Sequence, residues 1–178
     1  MKITEYSTKD VLVKKEYLHL MHPWGPVFDD NSSILILGSF PSPKSRENGF
    51  YYGHPQNVFW KTLSAVLGVD EPGTDPGDRR KFCLKNRIAL WDVIAECDIK
   101  GADDVSIKNA VPNDIKTLLE KTGITKVFTT GKTATRLYER YCYDQTGIHA
   151  VYLPSTSPAN RALQRKPEFM EVWGMISS

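Results

Sequence analysis

The feature of the sequence that most constrains the fold is a short aliphatic run that ends abruptly in glycine and proline. The run is Ile34-Leu-Ile-Leu37, and Gly38 and Pro41 follow it. A continuous apolar run of this length, bounded by turn residues, is typical of a strand buried on both faces, as in parallel sheets. The sequence therefore predicts a central strand in a sheet that is covered on both sides.

Further predicted strands alternate with segments of helical periodicity. The predicted strands are residues 88–94, 126–130 and 149–153, and the predicted helices are 55–67, 78–86, 112–121, 131–141 and one ending near 176; residues 39–54 are predicted to form a long loop. Strands that alternate with helices predict a parallel sheet covered on both faces. We expect an α/β fold, a three-layer α/β/α sandwich around a short, mainly parallel four-stranded sheet. One domain is expected over residues 1–178, with an irregular extension at residues 1–30.

Composition excludes several classes of protein. The chain has 178 residues, 40% of them hydrophobic, and a net charge of +2, which argues against a disordered chain. No apolar run approaches the roughly 18 residues of a membrane span, and the polar start predicts no signal peptide, so we expect a cytoplasmic monomer. Three widely spaced cysteines and scattered histidines predict no disulfide framework, metal cluster or cofactor. The weak positive charge leaves a DNA partner open if the cations gather on one face.

Two common catalytic motifs are incomplete. Gly131-Lys132 resembles the end of a phosphate-binding P-loop, but Lys126 stands where the first glycine should be, so a nucleotide-binding protein remains a weak alternative. Ser39 follows a strand, but the G-x-S-x-G elbow of serine hydrolases is absent. Neither an ATPase nor a serine hydrolase is therefore favoured.

An aromatic segment around residues 48–60 is unusual for a surface loop. Phe50, Tyr51 and Tyr52 are consecutive and Gly-His-Pro follows them, although exposed rings gain little in a loop. Asn57 lies at the predicted helix start, where its amide could face the end of the strand. The alternative, equally open from the residues, is that the rings fill the core and Asn57 only starts the helix.

A second segment, residues 153–161, is short, stiff and rich in hydroxyl groups. Its amides and the hydroxyls of Ser155 or Thr156 could hold a phosphate at a helix entrance. A helix cap with flanking prolines is the alternative interpretation of this segment.

Together these segments resemble the uracil-DNA glycosylase superfamily. Members carry a G-x-[ND]-P-G motif after the first strand, an [HN]-P-S motif after the last, and, in mismatch-specific enzymes, G-F-x-F-x-H-P-x-N-x-F-W. The corresponding residues here are 38–42, 153–155 and 49–60, and the resemblance covers about residues 33–176. It implies a parallel-sheet α/β/α core.

Two departures point to one branch of that superfamily. Phe40 stands at the usual catalytic Asn/Asp position, and Leu153 replaces the His/Asn of the second motif. Both changes resemble the hypoxanthine-DNA glycosylase branch, in which catalysis is assigned to an asparagine elsewhere. The resemblance places that role on Asn57.

The resemblance implies a monofunctional DNA glycosylase of base excision repair. Such an enzyme flips a deaminated base, here expected to be hypoxanthine, out of double- or single-stranded DNA and hydrolyses its N-glycosidic bond. The implied site residues are Asn57 (catalytic), Ser39, Phe40, Tyr52, His54 and Leu153 (base pocket), and Ser42, Lys44, Ser155, Thr156, Ser157 and Arg161 (DNA-binding). Alternatives are a uracil or G/T-mismatch glycosylase and a catalytically silent module that binds damaged DNA.

Overall fold

The computed structural model describes residues 15–178, so the first part of the predicted extension lies outside the described residues. The strands are β1 (Leu18–Met21), β2 (Ile34–Gly38), β3 (Ile88–Asp92), β4 (Ile94–Lys100), β5 (Asp103–Pro112), β6 (Lys126–Thr130) and β7 (Ala150–Leu153). The helices are α1 (Pro43–Asn48), α2 (Phe59–Leu67), α3 (Pro76–Lys85), α4 (Ile115–Lys121), α5 (Lys132–Tyr141), α6 (Tyr143–Thr146), α7 (Arg161–Gln164) and α8 (Pro167–Trp173).

The central sheet is parallel and has the strand order β3-β2-β6-β7. Strand β2 lies in its middle, and its side chains alternate between two cores. Ile36 packs on one face with residues of α2, α3 and α8, whereas Leu35 and Leu37 pack on the other with residues of α4 and α5. All three are fully buried, which is what a continuous aliphatic run requires. The predicted α/β/α sandwich with a four-stranded parallel sheet is confirmed.

A second sheet, with the order β1-β4-β5, was not predicted. It is antiparallel, and its strands β4 and β5 take up residues 94–112, where the sequence predicts the end of a strand, a polar stretch and the start of a helix. The predicted strand 88–94 is divided at Val93 into β3, which belongs to the central sheet, and the start of β4, which belongs to the second sheet. Strand β1 lies within the extension predicted to be irregular. An antiparallel sheet with one solvated face carries many charged residues, and these interrupt the apolar pattern by which its strands could be predicted from sequence.

Several helix boundaries also differ from the prediction. Helix α2 begins at Phe59, four residues late, and α1 lies inside the predicted long loop. Asp75, not Asp78, caps α3 by accepting a hydrogen bond from the backbone of residue 77. The helix predicted from residue 112 begins after Asp114, because Pro112 ends β5. The single last helix is divided into α7 and α8.

Candidate active site

A cavity of about 290 Å³ opens at the carboxyl ends of the central strands, where ligands bind in α/β folds. We call it the cleft. Nine of the predicted site residues line it: Ser39, Phe40, Ser42, Tyr52, His54, Asn57, Ser155, Thr156 and Ser157. Gly38, Asp92, Asp104 and Thr130 line it as well, although they had not been assigned to the site.

Gly38 allows two cleft residues to approach the end of β2. In the sheet register Gly38 lies beside Asp92. A Cβ atom on Gly38 would lie 2.5 Å from Asp92 Oδ1 and 3.3 Å from the Tyr52 hydroxyl. Only a residue without a side chain leaves room for both groups.

Tyr52 forms a rigid aromatic wall of the cleft. Its ring stacks on Phe59 with a centroid distance of 3.7 Å and an interplanar angle of 5°. Its hydroxyl shares a hydrogen bond of 2.8 Å with the hydroxyl of Thr130. Burial raises the pKa of the Tyr52 hydroxyl, which therefore stays protonated. The backbone has φ +51°, a left-handed conformation that is strained for tyrosine and is held by these contacts.

The aromatic loop, residues 50–54, is supported by α1. The backbone N–H of Gly53 donates to Ser45 Oγ at 3.0 Å, and Asn48 Nδ2 donates to the Gly53 carbonyl at 2.7 Å. Ser42 caps α1 by accepting from the Ser45 N–H at 3.1 Å. Ser42 therefore contributes to the shape of the cleft through the helix that it caps.

Asn57 lines the cleft and forms a hydrogen-bonded turn with the first residue of α2, immediately before the N-cap residue Val58. Its Oδ1 accepts a hydrogen bond of 2.9 Å from the Phe59 N–H, and its own N–H donates to the His54 carbonyl at 2.9 Å. Among the described residues, Asn57 Nδ2 has no hydrogen-bond partner in the protein. This turn fixes the plane of the amide and leaves its donors for a ligand.

The serine loop, residues 154–158, is fixed by side chains that donate to its carbonyl oxygens. Trp173 Nε1 donates to the residue 154 carbonyl at 3.0 Å, and Gln164 Nε2 donates to the residue 157 carbonyl at 2.8 Å. The N–H of Val58 donates to the Thr156 carbonyl at 3.1 Å. The serine loop and the turn that carries Asn57 are therefore joined, and Thr156 is buried between them.

Asp92 is a buried carboxylate held by a histidine. His22 Nε2 donates to Asp92 Oδ2 at 2.7 Å, and His22 Nδ1 accepts from the Trp24 N–H at 3.3 Å. A ring nitrogen that accepts carries no proton, so this pattern assigns the neutral Nε2–H tautomer to His22. The side chain of Asp92 is only 6% exposed. The sequence marked Asp92 as unusual within an apolar strand, but gave no indication of its partner 70 residues away.

Asp104 is a second carboxyl in the cleft, and it comes from the unpredicted strand β5. The Ser39 hydroxyl donates to Asp104 Oδ2. Burial raises the pKa of Asp104 to about 6, and the Asp92 and Asp103 charges act in the same direction, whereas the Ser39 hydrogen bond lowers it. A carboxyl with such a pKa in a cleft is a candidate acid or base. Sequence reasoning missed Asp104 because it had assigned no strand at residues 103–112.

Three predicted site residues do not line the cleft. Leu153 is fully buried in the core, where its carbonyl accepts a hydrogen bond of 2.7 Å from the Gly131 N–H. Lys44 lies on the exposed side of α1 and pairs with Glu47 at 2.9 Å. Arg161 lines a neighbouring cavity instead.

That neighbouring cavity, of about 410 Å³, carries cations and adjoins the cleft through Asn57. The exposed side chains of Lys61, Arg161 and Arg165 line it, together with the carboxylate of Glu71. The net charge of the chain is low, but these cations are grouped beside the cleft. We call this surface the cationic rim.

Comparison with known proteins identifies the family. The family model described as the uracil DNA glycosylase superfamily matches residues 26–176, which include the cleft and both loops. The chain belongs to that superfamily. Two relatives from Methanosarcina species are named hypoxanthine DNA glycosylase. The Methanosarcina barkeri protein is 39% identical over 93 residues, which cover 52% of this chain and 59% of that protein.

The second relative, from Methanosarcina acetivorans, is 32% identical over 142 residues, covering 80% of this chain and 89% of that protein. A solution NMR structure of a Methanosarcina acetivorans protein, provisionally named a uracil DNA glycosylase, has a similar fold. The TM-score is 0.73 at 30% identity, with 90% of this chain and all of that chain covered. The predicted family is confirmed. The names of the relatives agree with the predicted enzyme class, because DNA glycosylases are hydrolases of N-glycosyl bonds.

Within residues 15–178, no helix is long and apolar enough to cross a membrane. In the same part of the chain, no three His, Cys, Asp or Glu side chains are grouped as ligands for a metal ion. Cys83, Cys97 and Cys142 are buried free thiols, and burial raises the pKa of each.

Proposed function

We propose that the protein is a monofunctional DNA glycosylase of base excision repair that removes hypoxanthine from DNA. The observation that carries the proposal is the cleft, which combines a fixed aromatic wall, a fixed amide and two carboxyls at the ends of the parallel strands. The two relatives named hypoxanthine DNA glycosylase support the choice of base.

The aromatic wall suits a flipped base. A glycosylase must take its target nucleotide out of the stack and hold it in a pocket. The Tyr52 ring is already supported on one side by Phe59, so stacking a base against it requires little reordering. Stacking contributes about 1–3 kcal/mol per base and accepts purines as well as pyrimidines. Phe40 adds a second apolar surface to the same cleft.

Asn57 supplies polar contacts in a fixed orientation. One lone pair of its Oδ1 accepts from the Phe59 N–H, and the second remains for a water molecule. The Nδ2 group can donate to the O6 or N7 acceptors of hypoxanthine. The same side chain can therefore orient both the attacking water and the leaving base, which is the catalytic role that we assign to it.

The carboxyls suit the charge that develops during cleavage. Breaking the N-glycosidic bond leaves positive charge on the sugar and negative charge on the base. Asp92 and Asp104 lie in the cleft and would stabilise the cationic sugar, an effect that is strong where water is excluded. Among the described residues that line the cleft there is no lysine to form a Schiff base, which supports hydrolysis without strand cleavage.

DNA would bind across the cleft and the cationic rim. Lys61, Arg161 and Arg165 can contact phosphates on one side of the flipped nucleotide. The backbone N–H groups and hydroxyls of the serine loop would contact a phosphate on the other side, with Ser155 and Ser157 at the cleft edge. We expect the chain to act in the cytoplasm as a monomer. Light scattering of the purified protein checks the monomeric state.

The test uses labelled duplexes that contain hypoxanthine, uracil or a G·T mismatch, followed by alkali to cut abasic sites. We expect alkali-dependent cleavage of the hypoxanthine duplex and an intact strand without alkali. Faster release of uracil would favour the alternative suggested by the provisional name of the solved M. acetivorans structure. Tight binding of lesion duplexes without release of any base would instead establish a silent damage-binding module.

A further inference from the structure

The loop that follows β2 offers no ionisable side chain to the cleft. Its residues are Ser39, Phe40, Pro41 and Ser42. A carboxyl nevertheless lies against it, because Asp104 extends from β5 of the second sheet and accepts a hydrogen bond from the Ser39 hydroxyl. Two parts of the fold that are 65 residues apart therefore meet at this edge of the cleft.

The alternation of β5 directs Asp104 inward. Asp103 and Val105 on either side are exposed, Val105 to 78%, whereas Asp104 is largely covered and lines the cleft. The Ser39 hydrogen bond occupies Oδ2, and among the described residues Oδ1 of Asp104 has no partner in the protein. One carboxylate oxygen is thus held in place and the other remains for a ligand.

The second carboxyl of the cleft is less suited to proton transfer. Asp92 Oδ2 is engaged by the Nε2–H of His22, and its Oδ1 lies close beneath the backbone of Gly38. Its side chain is 6% exposed. Asp92 therefore contributes fixed negative charge, and Asp104 is the carboxyl that a water molecule in the cleft can reach.

We propose that Asp104 is the general base of the glycosylase reaction and that Ser39 is its positioning residue. The inference rests on the proposed function. A water oxygen forms a bond to C1′ of the flipped deoxyribose while the bond from C1′ to the base nitrogen breaks. The bonding electron pair leaves with the base, and the proton lost by the water passes to Asp104 Oδ1. Asp104 then returns this proton to the departed base or to solvent.

The surroundings tune Asp104 for this task. Its pKa of about 6 leaves it mostly ionised at neutral pH and close to the range that favours general bases. The groups that face it are Asp92 on β3 and Asp103 on its own strand, with Tyr52 from the aromatic loop and Cys97 on β4. Tyr52 and Cys97 are neutral because burial raises the pKa of both. Asp92 and Asp103 are therefore the charged groups that shift the pKa of Asp104.

The decisive variants are Asp104→Asn and Asp103→Asn. Both remove one negative charge from neighbouring positions of β5, but Asp103 is exposed and uses Oδ1 only to accept from the Val105 N–H, which asparagine also does. We expect single-turnover release of hypoxanthine to fall by about 100-fold to 10,000-fold in Asp104→Asn. Asp103→Asn removes a charge that raises the pKa of Asp104, so the acid limb of its rate profile should move to lower pH. Its rate at neutral pH, where Asp104 is already mostly ionised, should stay within about twofold of the wild type. Both variants should bind the lesion duplex as tightly as the wild type and should unfold at a melting temperature no lower than that of the wild type.

The pH profile separates general-base catalysis from a structural role. Ser39→Ala removes the hydrogen bond that lowers the pKa of Asp104, so the acid limb of the rate profile should move to higher pH. Asp92→Asn removes a charge that raises this pKa, so the limb should move to lower pH. These shifts remain measurable even if Asp104→Asn fails to fold.

The outcomes distinguish the two proposals. A wild-type protein that releases no base from any lesion overturns the proposed function and this inference together. An active wild type with an equally active Asp104→Asn, or an acid limb that neither variant moves, overturns this inference alone.

Discussion

Replacing Asn57 with alanine removes two separate functions of one side chain. The first is the hydrogen bond of 2.9 Å that Oδ1 accepts from the N–H of Phe59, the first residue of α2. A hydrogen bond of this kind contributes about 0.5–1.5 kcal/mol, so its loss should cost about 1 kcal/mol. For a chain of this size, 1 kcal/mol lowers the melting temperature by roughly 2–4 °C. The second function is the polar contact with water and base, whose loss lowers turnover without weakening the contacts to phosphates.

Asn57→Ser separates these functions. Serine can accept the same hydrogen bond from a backbone N–H two residues on, although more weakly, and it has no amide. Asn57→Ser should therefore melt closer to the wild type than Asn57→Ala and still lose turnover. The assays are calorimetric unfolding and single-turnover release of hypoxanthine, with lesion-duplex binding measured in parallel. Normal turnover in Asn57→Ser would refute the assignment, because it would mean that only the hydrogen bond to the Phe59 N–H is required.

Three further predictions concern the cleft, its rim and its charge. Gly38→Ala places a Cβ 2.5 Å from Asp92 Oδ1 and should destabilise the fold by about 1–3 kcal/mol, seen as a lower melting temperature. An unchanged melting temperature would contradict the close packing of Asp92 against Gly38. Arg161→Gln should weaken binding of damaged and undamaged DNA equally and reduce the slope of log K against log salt by about 0.9, measured by fluorescence anisotropy; selective loss of lesion binding would place Arg161 elsewhere. The folded-state pKa of Asp104 is raised to about 6 from 3.8, so its contribution to stability is fully present below pH 3.8 and is lost as pH rises from there through about 6. Asp104→Asn should therefore raise the melting temperature at pH 8 relative to wild type but not at about pH 3, and equal differences at both pH values would be inconsistent with that shift.

The parallel sheet could be predicted from sequence because its strands are buried on both faces. Leu35, Ile36 and Leu37 are fully covered, and only a continuous apolar run satisfies both cores. The β4–β5 pair could not be predicted in the same way, because one of its faces is solvated. Cross-strand neighbours such as Asp98 and Lys108 suit that face and resemble a polar loop in the sequence.

The candidate site was predictable where its residues are close in sequence. The aromatic loop and Asn57 lie within a few residues of each other, and their unusual composition indicated a site. The partners of Asp92 and Asp104 are 70 and 65 residues away, and no local pattern connects them. Leu153 was assigned to the pocket by position in a motif, but the end of β7 directs this side chain into the core.

The most direct test of the central claim is the detection of free base. Purified protein is incubated with a duplex that contains a single hypoxanthine, and the products are separated by chromatography before and after alkali. The proposed function predicts free hypoxanthine in equal amount to alkali-labile sites, with no strand cleavage before alkali. Lesion binding that yields no free base would contradict it.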